Sequence, residues 1–335
     1  MKWLEIRNYE KKFRPLTFFI GGRGIGKTYS SIQYLIERGD LFLYLRNTQI
    51  QIEESCSLMG NPFSSYNRDH GRNIKLVPEK KHFLIVDEVE NDVDEEKPVQ
   101  KLIGYAAALS TFENLRGVDL SEVRYVLFDE FIEKRTLAFN QFDSFSHMYE
   151  TVSRNRELLG EPPLICFMLS NSQSLFNPIL QGYGIVRQIE TMIVNSQDTH
   201  TDQDYFICLC KDQEVSQKKQ NTALYRLSKN SHIYRENIEN DFVNDDFSGI
   251  QNVKLAEYSP LCCYDDIFIY KHKSQPIYHV TWTSGTCQKF RPEERSLFLR
   301  TFGVNLRMLI PLNRVTFSDA SIKHKLETEV LKLNG

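Results

Sequence analysis

Apolar and polar residues alternate in two different ways along this chain. Over the first 180 residues, short β-rich runs are separated by segments of helical period. Leu16–Ile20 is such a run, ending at Gly21 and Gly22, and Lys27–Arg38 after it reads as a helix closed by Gly39. Leu41–Leu45, Arg124–Asp129 and Leu164–Ser170 are further strand-like runs. Phe142, Phe145, Tyr149 and Val152 recur at helical spacing, which predicts a helix over 140–158. His82–Asp87 and Leu102–Leu109 flank an acidic stretch and suit a hairpin. Strands alternating with helices predict an α/β domain built on a parallel sheet.

Beyond residue 205 the pattern changes. Residues 211–221 and 235–252 are polar and rich in Lys, Gln, Asn and Asp, as in linkers or loops. Residues 262–290 alternate aromatic and polar positions, as in a hairpin carrying Ile267 and Ile269, then Tyr278, Val280 and Trp282. The last 20 residues read as a helix. These shifts divide the chain into a domain over 1–205, a linker region over 206–240 and a smaller α+β domain over 241–335.

GGRGIGKT over 21–28 matches the phosphate-binding pattern GxxxxGK[ST], after a strand and at the start of a helix, the context that the motif requires. Gly21, Gly22, Gly24 and Gly26 let the loop, with Arg23 and Ile25 in it, aim backbone N–H groups at phosphate oxygens. The helix N-terminus adds partial positive charge. Lys27 would reach the β- and γ-phosphates of ATP, and the Thr28 hydroxyl would ligand Mg²⁺. An enzyme of this class needs an Asp at a strand end for the metal and often a Glu beside it to polarise water. Asp87-Glu88 and Asp129-Glu130 both follow apolar runs. The second pair is favoured, because Glu90, Asp92, Asp94, Glu95 and Glu96 beside the first would repel a triphosphate. Asn171, at the end of the next strand, suits either a γ-phosphate sensor or a cap. Arg154 and Arg156, at the end of the 140–158 helix, could stabilise a transferring phosphoryl group or complete a helix C-terminus. Arg23 could meet the nucleotide or a carboxylate near Asp129.

Composition narrows the class. Of 335 residues, 41% are apolar and 25% charged, a globular balance with no run long enough to span a membrane. The N-terminus lacks the apolar core of a signal peptide, so a cytoplasmic location is expected. The seven cysteines contain no CxxC pair and suit free thiols; Cys208 and Cys210, two apart on a strand, would share a face. The net charge of −3 is uneven: residues 1–205 carry 23 basic and 29 acidic side chains, and residues 270–335 carry 11 and 5. The basic C-terminal part, with Lys271, Lys273, Lys289, Arg291 and Arg295 among Tyr270, Tyr278 and Trp282, is the best candidate contact for nucleic-acid phosphates.

Several stretches together resemble the phi29-type genome-packaging ATPases of small podophages: FFIGGRGIGKTY over 18–29, LYLR over 43–46, VLFDEFI over 126–132, TVSRNRE over 151–157 and LSN over 169–171. The resemblance covers roughly residues 15–180. It implies a RecA-like ATPase domain of the additional-strand, catalytic-glutamate class, and a C-terminal domain like a vestigial RNase H fold without cutting activity. It implies an ATP-driven translocase that packages double-stranded DNA into a viral prohead in the host cytoplasm. The motor would be a ring of five subunits docked on the portal, with room for a structural RNA. In that family's terms Asp129 ligands Mg²⁺, Glu130 is the catalytic glutamate, and Arg154 is the finger acting across the subunit interface, with Arg156 as fallback. Arg116, 13 positions before Asp129, stands where a basic residue acts across the interface, and Asn171 falls in the segment that couples hydrolysis to movement. The chain departs from the family in its acidic insert at 88–96 and its poorly matching C-terminal region. A cellular DNA translocase or helicase, and a slow nucleotide-switched assembly protein, are the competing readings.

Overall fold

The computed structural model describes residues 3–79, 82–89, 99–115, 117–133, 137–172, 174–210, 218–229, 231, 234 and 248–333. The chain divides into two compact units. The first comprises Met1–Tyr183 and Met192–Asn244, the second Gly184–Thr191 and Asp245–Gly335. The first unit thus runs past residue 205, because the strand Tyr205–Cys210 pairs with the strand before the phosphate loop.

Its sheet has nine strands among the described residues: β1 Leu16–Gly21, β2 Phe42–Arg46, β3 Ile74–Glu79, β4 His82–Val89, β5 Val99–Ala108, β6 Tyr125–Asp129, β7 Ile165–Ser170, β8 Thr199–Thr201 and β9 Tyr205–Cys210. Their order is β3-β4-β5-β2-β6-β7-β1-β9-β8. The run from β5 through β9 is parallel, while β3, β4 and β8 are antiparallel to their neighbours. One strand, β7, lies between β1 and β6, so the phosphate-loop strand and the Asp129 strand are not adjacent. The central strands are buried on both faces, which is why they read as unbroken apolar runs rather than alternating ones.

Successive residues of a strand face opposite sides, and the aromatics follow this rule. Helix α1 (Lys27–Arg38) turns Ile32, Tyr34 and Leu35 onto a cluster with Phe19 and Phe167. Tyr34 meets Phe167 edge-on at 5.8 Å between ring centroids, and Phe13 meets Phe167 at 4.9 Å. Phe18 instead approaches Phe131 at 5.8 Å, and Phe128 stacks on Phe145 of α4 (Gln141–Ser153) at 5.9 Å. Helix α4 ends earlier than its apolar spacing predicts, because Arg154 and Asn155 both adopt left-handed backbone, with φ of 46° and 58°. β4 and β5 pair as the expected antiparallel hairpin; its acidic turn lies outside the described residues. Helices α2 (Gln49–Ser55) and α3 (Ser64–His70) follow β2, and α5 (Pro178–Gly182) follows β7.

The second unit is α+β. It includes a five-stranded sheet ordered β13-β10-β11-β12-β14, from β10 Tyr258–Tyr264, β11 Ile267–His272, β12 Tyr278–Thr281, β13 Gln288–Phe290 and β14 Val315–Phe317. The expected hairpin is β11–β12, antiparallel, with Ile269 opposite Val280. The C-terminal helix is interrupted: β14 precedes Ala320–His324, and a π-helical turn, Lys325–Val330, follows. Phe290, Phe298, Phe317, Leu306 and Leu326 fill the core. Among the described residues no helix is long and apolar enough to cross a membrane.

His279 sits buried in this sheet with Nδ1 2.8 Å from the Thr316 hydroxyl. Burial pushes its imidazole down to about 4, with Asp319 opposing weakly. The unfolded chain then binds the proton first as pH falls, so this contribution is whole above about 6.5 and is lost towards 4. Denaturant unfolding should show the second unit about 2 kcal/mol less stable at pH 5 than at pH 7 from this group. In His279→Gln that part of the acid sensitivity should vanish.

Candidate functional site

Because the central strands are parallel, their carboxyl ends share one edge, where α/β folds place ligands. β1 delivers the phosphate loop there, β2 Arg46 and Asn47, β6 Asp129 and Glu130, and β7 Ser170 and Asn171. Gly21 packs so tightly on β9 that an added Cβ would lie 2.4 Å from the Cys210 carbonyl oxygen. Gly26 is the N-cap of α1, with φ of 99°, a backbone that a side chain would strain. Ile25 is buried beneath the loop, and its carbonyl accepts from the Leu4 amide at 3.1 Å. A cavity of about 190 Å³ is lined by Arg23, Gly24, Gly26, Lys27, Thr28, Tyr29, Asp129, Glu130, Ser170 and Asn171.

Lys27 donates to the carbonyls of Gly21 and Gly22, each at 2.8 Å, and to Asn171 Oδ1 at 3.2 Å. Burial pushes its ammonium down to about 8, partly opposed by Asp129 and Glu130. The Thr28 hydroxyl donates to Asp129 Oδ1 at 3.1 Å, joining residues 101 positions apart. Asp129 is buried, and burial pushes its carboxyl upward while Arg46 opposes. A buried carboxylate beside a hydroxyl is a set of hard oxygen donors, which fits Mg²⁺. Asn171 lies inside the cavity, at Lys27, rather than on the surface as a helix cap.

Arg46 and Asn47 carry roles that the sequence reading did not assign. Arg46 bridges the acidic pair, with Nη2 2.7 Å from Glu130 Oε2 and Nη1 3.6 Å from Asp129 Oδ2. Tyr44 donates to Asp129 Oδ2 at 3.4 Å. Glu130 has φ of 55°. Asn47, fully buried, donates to the Glu130 carbonyl at 3.0 Å and to Glu133 Oε1 at 3.1 Å. Its own Oδ1 accepts from Gln141 Nε2 at 2.6 Å, and Gln141 Oε1 accepts from Asn177 Nδ2 at 2.7 Å. This chain of side-chain amides fixes the turn after β6 against α4 and α5. Motif spacing gives no signal for it, since its members lie up to 130 residues apart and each is a common polar residue.

Other candidates fall elsewhere. Asp87 is buried but ion-paired to Arg72, whose Nε donates to it at 2.9 Å, and Glu88 is held by Lys75 at 2.7 Å. Neither lines the phosphate cavity. Nor do Arg154 and Arg156. Arg154 is half-exposed and paired to Asp119 at 2.8 Å, with Leu158 and Leu159 strongly exposed beside it. Arg156 is 3% exposed and donates to the carbonyls of Val123 at 2.8 Å, Ser153 at 3.1 Å and Val152 at 3.2 Å. It closes α4 from inside the fold. Arg116 lies outside the described residues. In the second unit the basic patch is partly committed: Lys273 donates to the Ala256 carbonyl at 2.8 Å, Arg295 Nη2 to the Val330 carbonyl at 2.6 Å, and Tyr270 is buried. Lys325 joins Asp265 at 3.1 Å and Asp266 at 2.5 Å.

Residues 5–262 match the family model described as podovirus DNA encapsidation protein (Gp16). The DNA packaging protein of Bacillus phage B103 is 26% identical over 239 residues, 69% of this chain and 65% of the relative. That of Bacillus phage phi29 is also 26% identical over 239 residues, 69% of this chain and 63% of the relative. The match therefore spans less than two thirds of either relative. Among solved structures, the bacteriophage phi29 genome packaging motor assembly is similar with a TM-score of 0.61, 17% identity and 96% of both chains covered. The phi28 gp11 packaging motor is similar with a TM-score of 0.56, 19% identity and 98% of both chains covered.

The amide chain has a testable weight. Asn47→Ala leaves the Gln141 amide and the Glu130 carbonyl buried without their partner, which should cost about 2–4 kcal/mol of stability. Thermal and denaturant unfolding of the first unit check this.

Proposed function

The chain belongs to the podovirus DNA encapsidation protein family, and from that premise we propose that it is an ATP-driven translocase that packages double-stranded DNA into a viral prohead. The observation that carries the reading is the gathering of Lys27, Thr28, Asp129, Glu130 and Asn171 around one cavity at the strand ends. ATP is the substrate. The loop amides of residues 21–28 and the Lys27 ammonium hold its phosphates. Mg²⁺, held by Thr28 and Asp129, neutralises charge across the β- and γ-phosphates when bound. Glu130 orients and polarises the attacking water.

The Arg46 ion pair draws Glu130 to one side, so hydrolysis requires Glu130 to leave that partner for water. Arg154 lies on the surface beside exposed Leu158 and Leu159, which suits a residue that acts on a neighbouring subunit's nucleotide in a ring of five. Arg116 is a second basic residue for that interface. Arg156 is committed to carbonyls of its own chain, which favours Arg154 as the finger. The ring would dock on the portal, with double-stranded DNA as cargo and a structural RNA as a further partner, in the host cytoplasm and transiently on the prohead. DNA is gripped through phosphates, without base reading.

Steady-state ATP hydrolysis, with and without double-stranded DNA and empty proheads, tests the reading. Stimulation by DNA of any sequence and uptake of DNA into proheads is the expected result. A cellular translocase would ignore proheads, and an assembly switch would ignore both. Glu130→Gln should keep nucleotide binding and lower turnover by about 10²–10⁴-fold. Arg154→Ala should lower it by roughly 10³–10⁵-fold. Mixing these two inactive chains should restore part of the activity, because some interfaces then pair an intact Glu130 with an intact Arg154. Absence of recovery would place the finger within one chain. Glu88→Gln should stay active.

A further inference from the structure

The phosphate cavity, about 190 Å³, is too small for a whole nucleotide. A second cleft of about 760 Å³ adjoins it and shares Gly24, Gly26 and Tyr29 with it. The two meet at the first turn of α1, where a nucleotide's phosphates give way to its sugar. One wall of the larger cleft is Trp3. Its Cβ lies 3.4 Å from where a Cβ on Gly26 would stand, and half of the residue is open to solvent. The Leu4 amide, bonded to the Ile25 carbonyl at 3.1 Å, fixes this segment to the phosphate loop. The floor is Tyr29 and Gln33, one turn apart on α1, and the far wall is α3, with Arg68 and Asp69. Tyr29 and Tyr66 hold the two helices together, with ring centroids 6.3 Å apart.

We propose that this cleft is the nucleoside subsite: the purine base stacks on the Trp3 indole, and Gln33 and Asp69 meet the amino group of the base and the ribose hydroxyls. The assignment rests on the ATPase reading above, since it presumes that the phosphate loop holds a triphosphate. An indole offers a flat apolar face that any nucleobase can cover. A carboxylate and an amide within the same cleft supply an acceptor and a donor pair for the polar edge. A large aromatic left half in water next to a glycine-lined phosphate site is otherwise a poor use of apolar surface. The N-terminal segment thereby becomes part of the nucleotide site, although it precedes the phosphate loop by almost twenty residues and carries no motif.

The chain has two tryptophans, so Trp282→Phe leaves Trp3 as the sole indole reporter in the full-length protein. The probes are Mg-ATP and inorganic tripolyphosphate, with binding followed by calorimetry and by Trp3 emission. Mg-ATP should change the Trp3 emission; tripolyphosphate should compete with ATP and leave the emission unchanged. Trp3→Ala should weaken ATP binding by roughly 5- to 150-fold and leave tripolyphosphate binding unaltered, while Trp3→Phe should retain most of the affinity. If ATP and tripolyphosphate compete but ATP neither moves the Trp3 emission nor loses affinity in Trp3→Ala, the base sits elsewhere and the subsite is overturned while the phosphate site stands. If neither ligand binds, the phosphate-loop reading falls and the subsite falls with it.

Discussion

Everything at the candidate site depends on four parallel strands ending along one edge of the sheet. Parallel pairing aligns β2, β6, β7 and β1, so residues far apart in sequence leave the sheet side by side: Arg46, Asp129, Asn171 and the phosphate loop. The hydrogen bond from Thr28 to Asp129 spans from β1 to β6 over the end of β7, and it exists only because the intervening strand contributes a small pair, Ser170 and Asn171, there. A bulky residue at that strand end would separate the hydroxyl from the carboxylate. Loop geometry then does the rest, with the Gly26 backbone turning α1 toward the same edge.

Charge is balanced within this edge. Asp129 and Glu130 face Arg46 and Lys27, and both basic groups are largely removed from water. Burial weakens the Lys27 ammonium, whose protein partners are neutral oxygens. A phosphate oxygen carries full charge and is a stronger partner than a carbonyl. Binding a nucleotide therefore trades neutral contacts for charged ones at Lys27, while Asp129 is already shielded by Arg46 and Tyr44. The buried amides of Asn47, Gln141 and Asn177 sit one layer behind and are satisfied by one another, which is the condition under which a polar core rigidifies rather than weakens a fold.

What the sequence discloses and what it hides follow from locality. The phosphate loop is a contiguous pattern, and its strand and helix context flank it directly. Asp129-Glu130 could be separated from Asp87-Glu88 because electrostatic crowding is also local in sequence, and the structure has Asp87 tied to Arg72. The hairpin partners β4–β5 and β11–β12 were legible from alternation. Arg46 stood within a quoted stretch without a role, since its partners come from another strand. Gln141 looked like any first-turn polar residue of α4. The end of that helix was misplaced because left-handed backbone at Arg154 and Asn155 breaks an apolar period that continues through the sequence. The place of β9 beside β1, which carries the first unit beyond residue 205, is a matter of pairing that composition cannot reveal.

The backbone of Glu130 has a wider consequence. A non-glycine residue at φ of 55° is strained, by about 1–3 kcal/mol, and only its surroundings keep it there. Glycine or asparagine would rest more easily in that conformation. Selection for heat resistance alone would then drift toward Glu130→Gly, and the hardiest chains recovered from such a screen would be those that had discarded their candidate water-activating carboxylate.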